Sequence, residues 1–222
     1  MPRFFVPSTG FDGDIVRITG DDARHIARAL RMATGETMTV CDMHGTTHTC
    51  VLERITDAAS VARIVASTPS DTEPPYPVTL YQAFPKGDKM DAVVQKAVES
   101  GACAVVPFLS ERCVSRPDDK SVEKKIARWQ RIALEAAKQC GRGIIPEVRR
   151  PLSYAQMLEE AASASLPLFC YEGDGTASLR TVLSAAEVSA LEPQAVRPAA
   201  SKPAMVRASI FLSFILNSPL PL

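Results

Sequence analysis

Within residues 86–142, KGDKMDAVVQKAVESGACAVVPFLSERCVSRPDDKSVEKKIARWQRIALEAAKQCGR, two helical patterns enclose one near-continuous apolar run. That order leaves few folds open. Residues 103–109 are apolar at almost every position, which suits a strand covered on both faces. The helix before it, with Asp88 as its expected cap, gathers Met90, Val94, Ala97 and Val98 on one side and stops at Gly101. The helix after it, residues 121–140, aligns Val122, Ile126, Trp129, Ala133, Ala136 and Cys140 at helical spacing, with Gly141 and Gly143 as its stop. A strand at 78–84, a helix at 152–163 and a strand at 166–171 continue the alternation. Such alternation predicts a parallel sheet with crossover helices.

The first seventy residues follow another rule. Short β-type runs at 3–6, 15–18, 37–41, 48–52 and 61–65 are separated by turn glycines at 10, 13, 35 and 45. One helix interrupts them, starting at Asp21 or Asp22 and running through Met32. This pattern predicts a small β-barrel over residues 1–70. The segment TPSDTEPPYP then reads as a linker centred on 71–77, and the α/β domain occupies 78–222.

Net charge is zero, but its distribution is uneven. Residues 73–150 hold fourteen Lys and Arg against ten Asp and Glu, whereas each flank carries a small acidic excess. A local basic surplus either attracts phosphate or forms a solvated helix face. The six cysteines include no C-x-x-C pair, and reduced buried thiols in a cytoplasmic protein are expected. The opening residues show no secretory signal, and no apolar run approaches a membrane span.

Common cofactor signatures are missing: G-x-G-x-x-G, the P-loop, H-E-x-x-H and G-x-S-x-G do not occur. His44 and His48 lack a third ligand nearby, so no metal is expected. Lys86 and Lys89 stand where a strand hands over to a helix, the usual ligand position in α/β sheets; they serve an anion or only solubility. Glu111 and Arg112 follow the next strand. The planar, always charged guanidinium of Arg112 suits phosphate or a developing oxyanion; the alternative is a structural ion pair between Glu111 and a neighbouring Lys. Arg142 closes the second helix, where capping is the simplest account. In the barrel, His25, Arg28 and Arg31 are expected to share one helical face, either for phosphate or for solvent.

Taken in order, PRFFV at the start, HIARALRM (25–32) with Gly35-Glu36, KGDKMDAVVQKAVESGA (86–102), Pro107 with SERCV (110–114), RWQRIALEAAKQCGR (128–142) with Pro146, and Tyr171-Glu172 resemble the bacterial 16S rRNA (uracil-N3) methyltransferase family, the RsmE type of the SPOUT class. The resemblance covers residues 2–172. It implies a PUA-like RNA-binding β-barrel followed by a SPOUT domain, an α/β trefoil knot. It also implies a homodimer, S-adenosyl-L-methionine as cofactor, and a uridine of 16S rRNA in the small ribosomal subunit as substrate. Arg112 and Glu111 then become the catalytic candidates, Tyr171 and Glu172 the cofactor-binding ones, and Arg3, His25, Arg28, Arg31, Lys86, Lys89 and Arg142 the RNA-binding ones.

Beyond this point the similarity fades. The family continues with a strand, a Gly-Pro-Glu-Gly-Gly loop, a helix and a Leu-Gly…Arg-Ile-Leu-Arg segment. Here residues 192–208 form a Pro/Ala-rich stretch, a strand is expected at 209–212, and SFILNSPLPL follows. A glycine loop lets backbone N–H groups approach a cofactor closely. Its absence leads to the expectation of an incomplete knot and weakened S-adenosylmethionine binding, with a non-catalytic rRNA-binding protein as the alternative.

Overall fold

The computed structural model describes residues 1–170 and 176–185, and the backbone of Ile210–Phe214. Two compact units emerge. The first contains residues 1–73 and 137–145; the second contains 74–136 and the described residues from 146 onward.

In the first unit six strands form one curled sheet. They are β1 (Arg3–Phe5), β2 (Phe11–Asp12), β3 (Ile15–Thr19), β4 (Thr37–Cys41), β5 (Thr46–Ile55) and β6 (Ala59–Pro69). Their order is β1-β4-β5-β6-β3-β2, with β1–β4 parallel and the other pairs antiparallel. Two register shifts on the long β5–β6 ribbon, at Thr49/Cys50 and Leu52/Arg54, add the local twist that curls it. Alternate residues face inward, so Phe4, Val16, Ile18, Met38, Val40, Cys50, Leu52 and Ala62 make one core with Ile26. Each large side chain removed from water there contributes about 1.5–3 kcal/mol. Burial pushes the Cys50 thiol up to about 11, so it stays neutral and unreactive.

The helix of this unit departs from expectation. Helix α1 spans only Gly20–Arg24 and passes into a π-helical turn, His25–Ala29. Leu30 donates to the His25 carbonyl at 2.9 Å, an i→i+5 bond, and Arg31 takes a left-handed φ of 51° that ends the turn. The 3.6-residue register on which a shared face for His25, Arg28 and Arg31 was expected is therefore broken.

The segment read as a linker is anchored. Glu73 accepts from Arg142 Nε at 2.9 and 3.0 Å and from the backbone N–H of Gly143 at 2.8 Å. The Arg142 side chain is 5% exposed and that of Glu73 is 16% exposed. Arg3 completes the cluster, its Nη1 donating to the Arg142 carbonyl at 3.2 Å and lying 3.0 Å from Cys41 Sγ.

The second unit carries a parallel sheet in the order β10-β8-β7-β12-β11, with β9 also paired to β8. These strands are β7 (Val78–Ala83), β8 (Ala102–Leu109), β9 (Glu147–Val148), β10 (Leu152–Ser153), β11 (Leu166–Cys170) and β12 (Ile210–Phe214). The last falls where a strand was expected. The alternating helices are α2 (Lys89–Glu99), α3 (Asp119–Cys140), α4 (Tyr154–Ala162) and α5 (Leu179–Ala185). Met90, Val94, Ala97 and Val98 are the four buried residues of α2, as their spacing predicts. Gly101 ends the helix with φ 97°, and a Cβ there would lie 2.5 Å from Pro74 Cγ. On α3, Val122, Trp129, Ala133 and Ala136 are buried, but Cys140 is exposed and Ala137 is buried instead. The expected helix at 152–163 begins two residues later, because Ser153 and Gln156 close a capping box.

Glu73→Ala is expected to destabilise the chain by about 3–5 kcal/mol, since it leaves the Arg142 cation buried without its carboxylate. Urea unfolding of the two proteins measures the difference.

Candidate functional site

All strand pairs of the second sheet are parallel, so every strand points its carboxyl end to the same edge. Two neighbouring strand ends there carry charge. After β7 the chain runs Phe84-Pro85-Lys86-Gly87, with the Phe84 N–H held by the Phe108 carbonyl of β8 at 3.1 Å. Gly87, with φ 71°, turns the chain into α2 and leaves Lys86 exposed. Asp88 occupies the N-cap position of α2, but its side chain makes no capping bond, contrary to expectation.

After β8, residues 110–113 form a tight turn. Cys113 N–H donates to the Ser110 carbonyl at 3.1 Å, and the Ser110 N–H approaches the buried Cys113 sulfur at 3.3 Å. Arg116 reaches back to the Ser110 carbonyl at 3.3 Å. These bonds fix a corner on which Glu111 and Arg112 are exposed. Among the described residues neither side chain has an ion-pair partner, so the pair weighed for Glu111 with a neighbouring Lys does not form there. The corner carries a guanidinium and a carboxylate at the end of β8, the strand paired with β7, whose own following loop carries Lys86.

Asp91, which the sequence reading passed over, ties α2 to α3. Its carboxylate accepts from the buried Trp129 Nε1 at 3.1 Å and pairs with Arg128. Trp129 also packs against Phe84 at the end of β7, with ring centroids 5.6 Å apart. Spacing alone gave no sign of this, because the partners lie 38 positions apart in the chain. Glu160 similarly accepts from Tyr81 of β7 at 2.6 Å and from Arg149 at 2.8 Å, and its proximity pushes the Arg149 guanidinium up.

The remaining candidates divide. Arg142 is held by Glu73 in a buried pair, and the half-buried Arg3 donates to the Arg142 carbonyl and to Cys41 Sγ. Arg28 forks onto Asp57, which raises the Arg28 pKa and lowers that of the carboxylate. His25, Arg31 and Lys89 are exposed. Tyr171 and Glu172, the cofactor-binding candidates, lie outside the described residues, as do 186–209 and 215–222, on which the expectation of a weakened cofactor pocket rests. No group of metal-ligating residues and no helix long and apolar enough to cross a membrane occurs among the described residues.

Residues 72–196, more than half of the chain, match the RNA methyltransferase domain family. The chain is 32% identical over 175 residues to ribosomal RNA small subunit methyltransferase E of Bacillus subtilis, covering 78% of this chain and 68% of the relative. It is 33% identical over 156 residues to the enzyme of the same name from Synechocystis, covering 70% of this chain and 50% of that one. It is also similar to a crystal structure of ribosomal RNA small subunit methyltransferase E from Neisseria gonorrhoeae bound to S-adenosyl methionine. There the TM-score is 0.74 at 28% identity, over 96% of this chain and 79% of that one. The parallel sheet with its charged strand ends is thus that of an RNA methyltransferase domain. The chain belongs to this RNA methyltransferase family, in the branch whose curated members are the small-subunit rRNA methyltransferases E.

Asp91→Ala is expected to leave the Trp129 indole N–H buried without a partner, at a cost of about 1–3 kcal/mol. Trp129 is the sole tryptophan. Its fluorescence therefore reports both the unfolding midpoint in urea and any loosening of the α2–α3 junction as a red shift.

Proposed function

We propose that the chain is an S-adenosylmethionine-dependent methyltransferase acting on N3 of a uridine in 16S rRNA of the small ribosomal subunit. The observation that carries this reading is the corner at Glu111 and Arg112, fixed at a strand end next to Lys86 within the domain that matches the family. Uracil N3 bears a proton and is a poor nucleophile until the proton leaves; the resulting anion spreads over O2, N3 and O4. Arg112 is the group that stabilises this charge, since its guanidinium is permanently protonated and held by a rigid turn. Glu111 accepts the N3 proton. Lys86 and Lys89 hold the substrate phosphates, and in the first unit His25, Arg28 and Arg31 extend the RNA contact.

The cofactor fits the topology of the sheet edge. Strands β11 and β12 end at the same edge as β7 and β8, and Tyr171 and Glu172 come next in the sequence after β11. Ligands of open parallel sheets lie at such strand ends. When bound, the cofactor supplies an electrophilic methyl group. The chain's own residues orient the uracil and keep its ring nitrogen free of its proton.

The same reading takes residues 1–70 as a PUA-like barrel, 71–77 as the connection and 78–222 as a SPOUT domain. The protein would work as a cytoplasmic homodimer.

Isothermal titration with S-adenosylmethionine tests the proposal. Micromolar binding supports the enzyme and removes the expectation of an impaired cofactor pocket. No binding at millimolar cofactor, with rRNA binding retained, overturns the enzyme and leaves a non-catalytic rRNA-binding protein; it would also mean that SFILNSPLPL does not replace the family's glycine loop. In the binding-competent protein, Arg112→Ala is expected to lower kcat about 10²–10³-fold while changing RNA affinity little. Equal losses in rate and affinity would reduce Arg112 to a phosphate clamp.

A further inference from the structure

We propose that the amino-terminal half of α3 forms a second RNA-backbone contact, separate from the strand-end corner. The β7–α2 turn and α3 enclose a hollow of about 210 Å³ whose lining includes Gly87, Ser121, Lys124, Lys125 and Arg128. That is far more than the roughly 10–15 Å³ that admits one water. Two carboxylates, Asp88 and Asp91, also line it. Asp91 is held by Arg128 and the Trp129 indole, so it does not neutralise the lysines. Glu123 on the same helix is drawn away to Arg150. Among the described residues Lys124 and Lys125 have no acidic partner, and Asp88 is the one remaining acid in the lining.

The spacing is informative. Lys120, Lys124 and Arg128 follow one another at i, i+4 and i+8, and Arg131 continues the stripe; Arg128 is already paired with Asp91, so the repulsion falls on Lys120 and Lys124. Like charges at i, i+4 destabilise a helix by about 0.2–0.5 kcal/mol per pair. A merely solvated face gains nothing from that arrangement. A polyanion lying along the stripe turns the repulsion into attraction and releases counterions. From Lys124 to Arg131 the helix rises about 10 Å at 1.5 Å per residue, enough to follow a short run of backbone rather than a single free phosphate. The occupant is RNA, because the domain that carries the stripe is an RNA methyltransferase domain; the inference rests on that reading of the substrate.

The test is fluorescence anisotropy of the full chain with a 16S rRNA transcript across a salt series, comparing wild type with Lys124→Ala/Lys125→Ala and Lys124→Glu/Lys125→Glu. Circular dichroism reports the fold of each variant. The alanine pair is expected to weaken binding about tenfold and to flatten the slope of log K against log salt by about 1.4, taking roughly 0.7 per single-strand phosphate. The glutamate pair is expected to lose more. Unchanged affinity and slope in both variants, with wild-type binding intact, overturn this contact and leave the proposed function standing. Absence of wild-type binding to rRNA overturns both.

Discussion

Parallel pairing of β7 with β8 on one side and β12 on the other is the constraint from which the site follows. A parallel neighbour requires a crossover connection, and crossovers place helices over the sheet. Every strand then ends at one edge, so loops far apart in sequence meet there. This register puts Lys86 and the Glu111–Arg112 corner on loops that leave neighbouring strands at the same edge. No motif needs to place them together.

The loops at that edge hold their shape through bonds made by less conspicuous residues. Cys113 serves as a small buried acceptor beneath its turn, with its sulfur close to both the Ser110 N–H and the Ser110 hydroxyl. Asp91 fixes the first turn of α2 against α3, and Trp129 carries that contact to Phe84 at the end of β7. Pre-organisation of this kind matters for a reaction that must stabilise a ring anion. A donor that has to be ordered during the reaction gives back much of what it gains.

Much of the second unit was legible in the chain. The spacing of Met90, Val94, Ala97 and Val98 named the buried face of α2, and the apolar run ending at Leu109 marked a strand covered on both sides. What stayed hidden depended on distant partners. Nothing local shows that Arg142 pairs with Glu73, 69 positions away, so its position read as a helix cap and the resemblance gave it an RNA-binding role. Glu73 itself sat in a segment whose prolines suggested only a connection. The π-turn at His25–Ala29 was invisible for another reason: its residues have ordinary helix propensity, and one i→i+5 bond with a left-handed Arg31 resets the register. Cys140 was assigned to the core by periodicity, yet the end of α3 turns Ala137 inward instead.

In the proposed reaction the two groups at the β8 corner, one permanently cationic and one acidic, would divide the work of taking a proton from a base and stabilising the charge left behind. The direct measurement is mass spectrometry of 16S rRNA from a strain in which this chain is the sole copy of its family. The account predicts a single N3-methyluridine at one position. Fully unmodified small-subunit rRNA, with the protein present and folded, would contradict it.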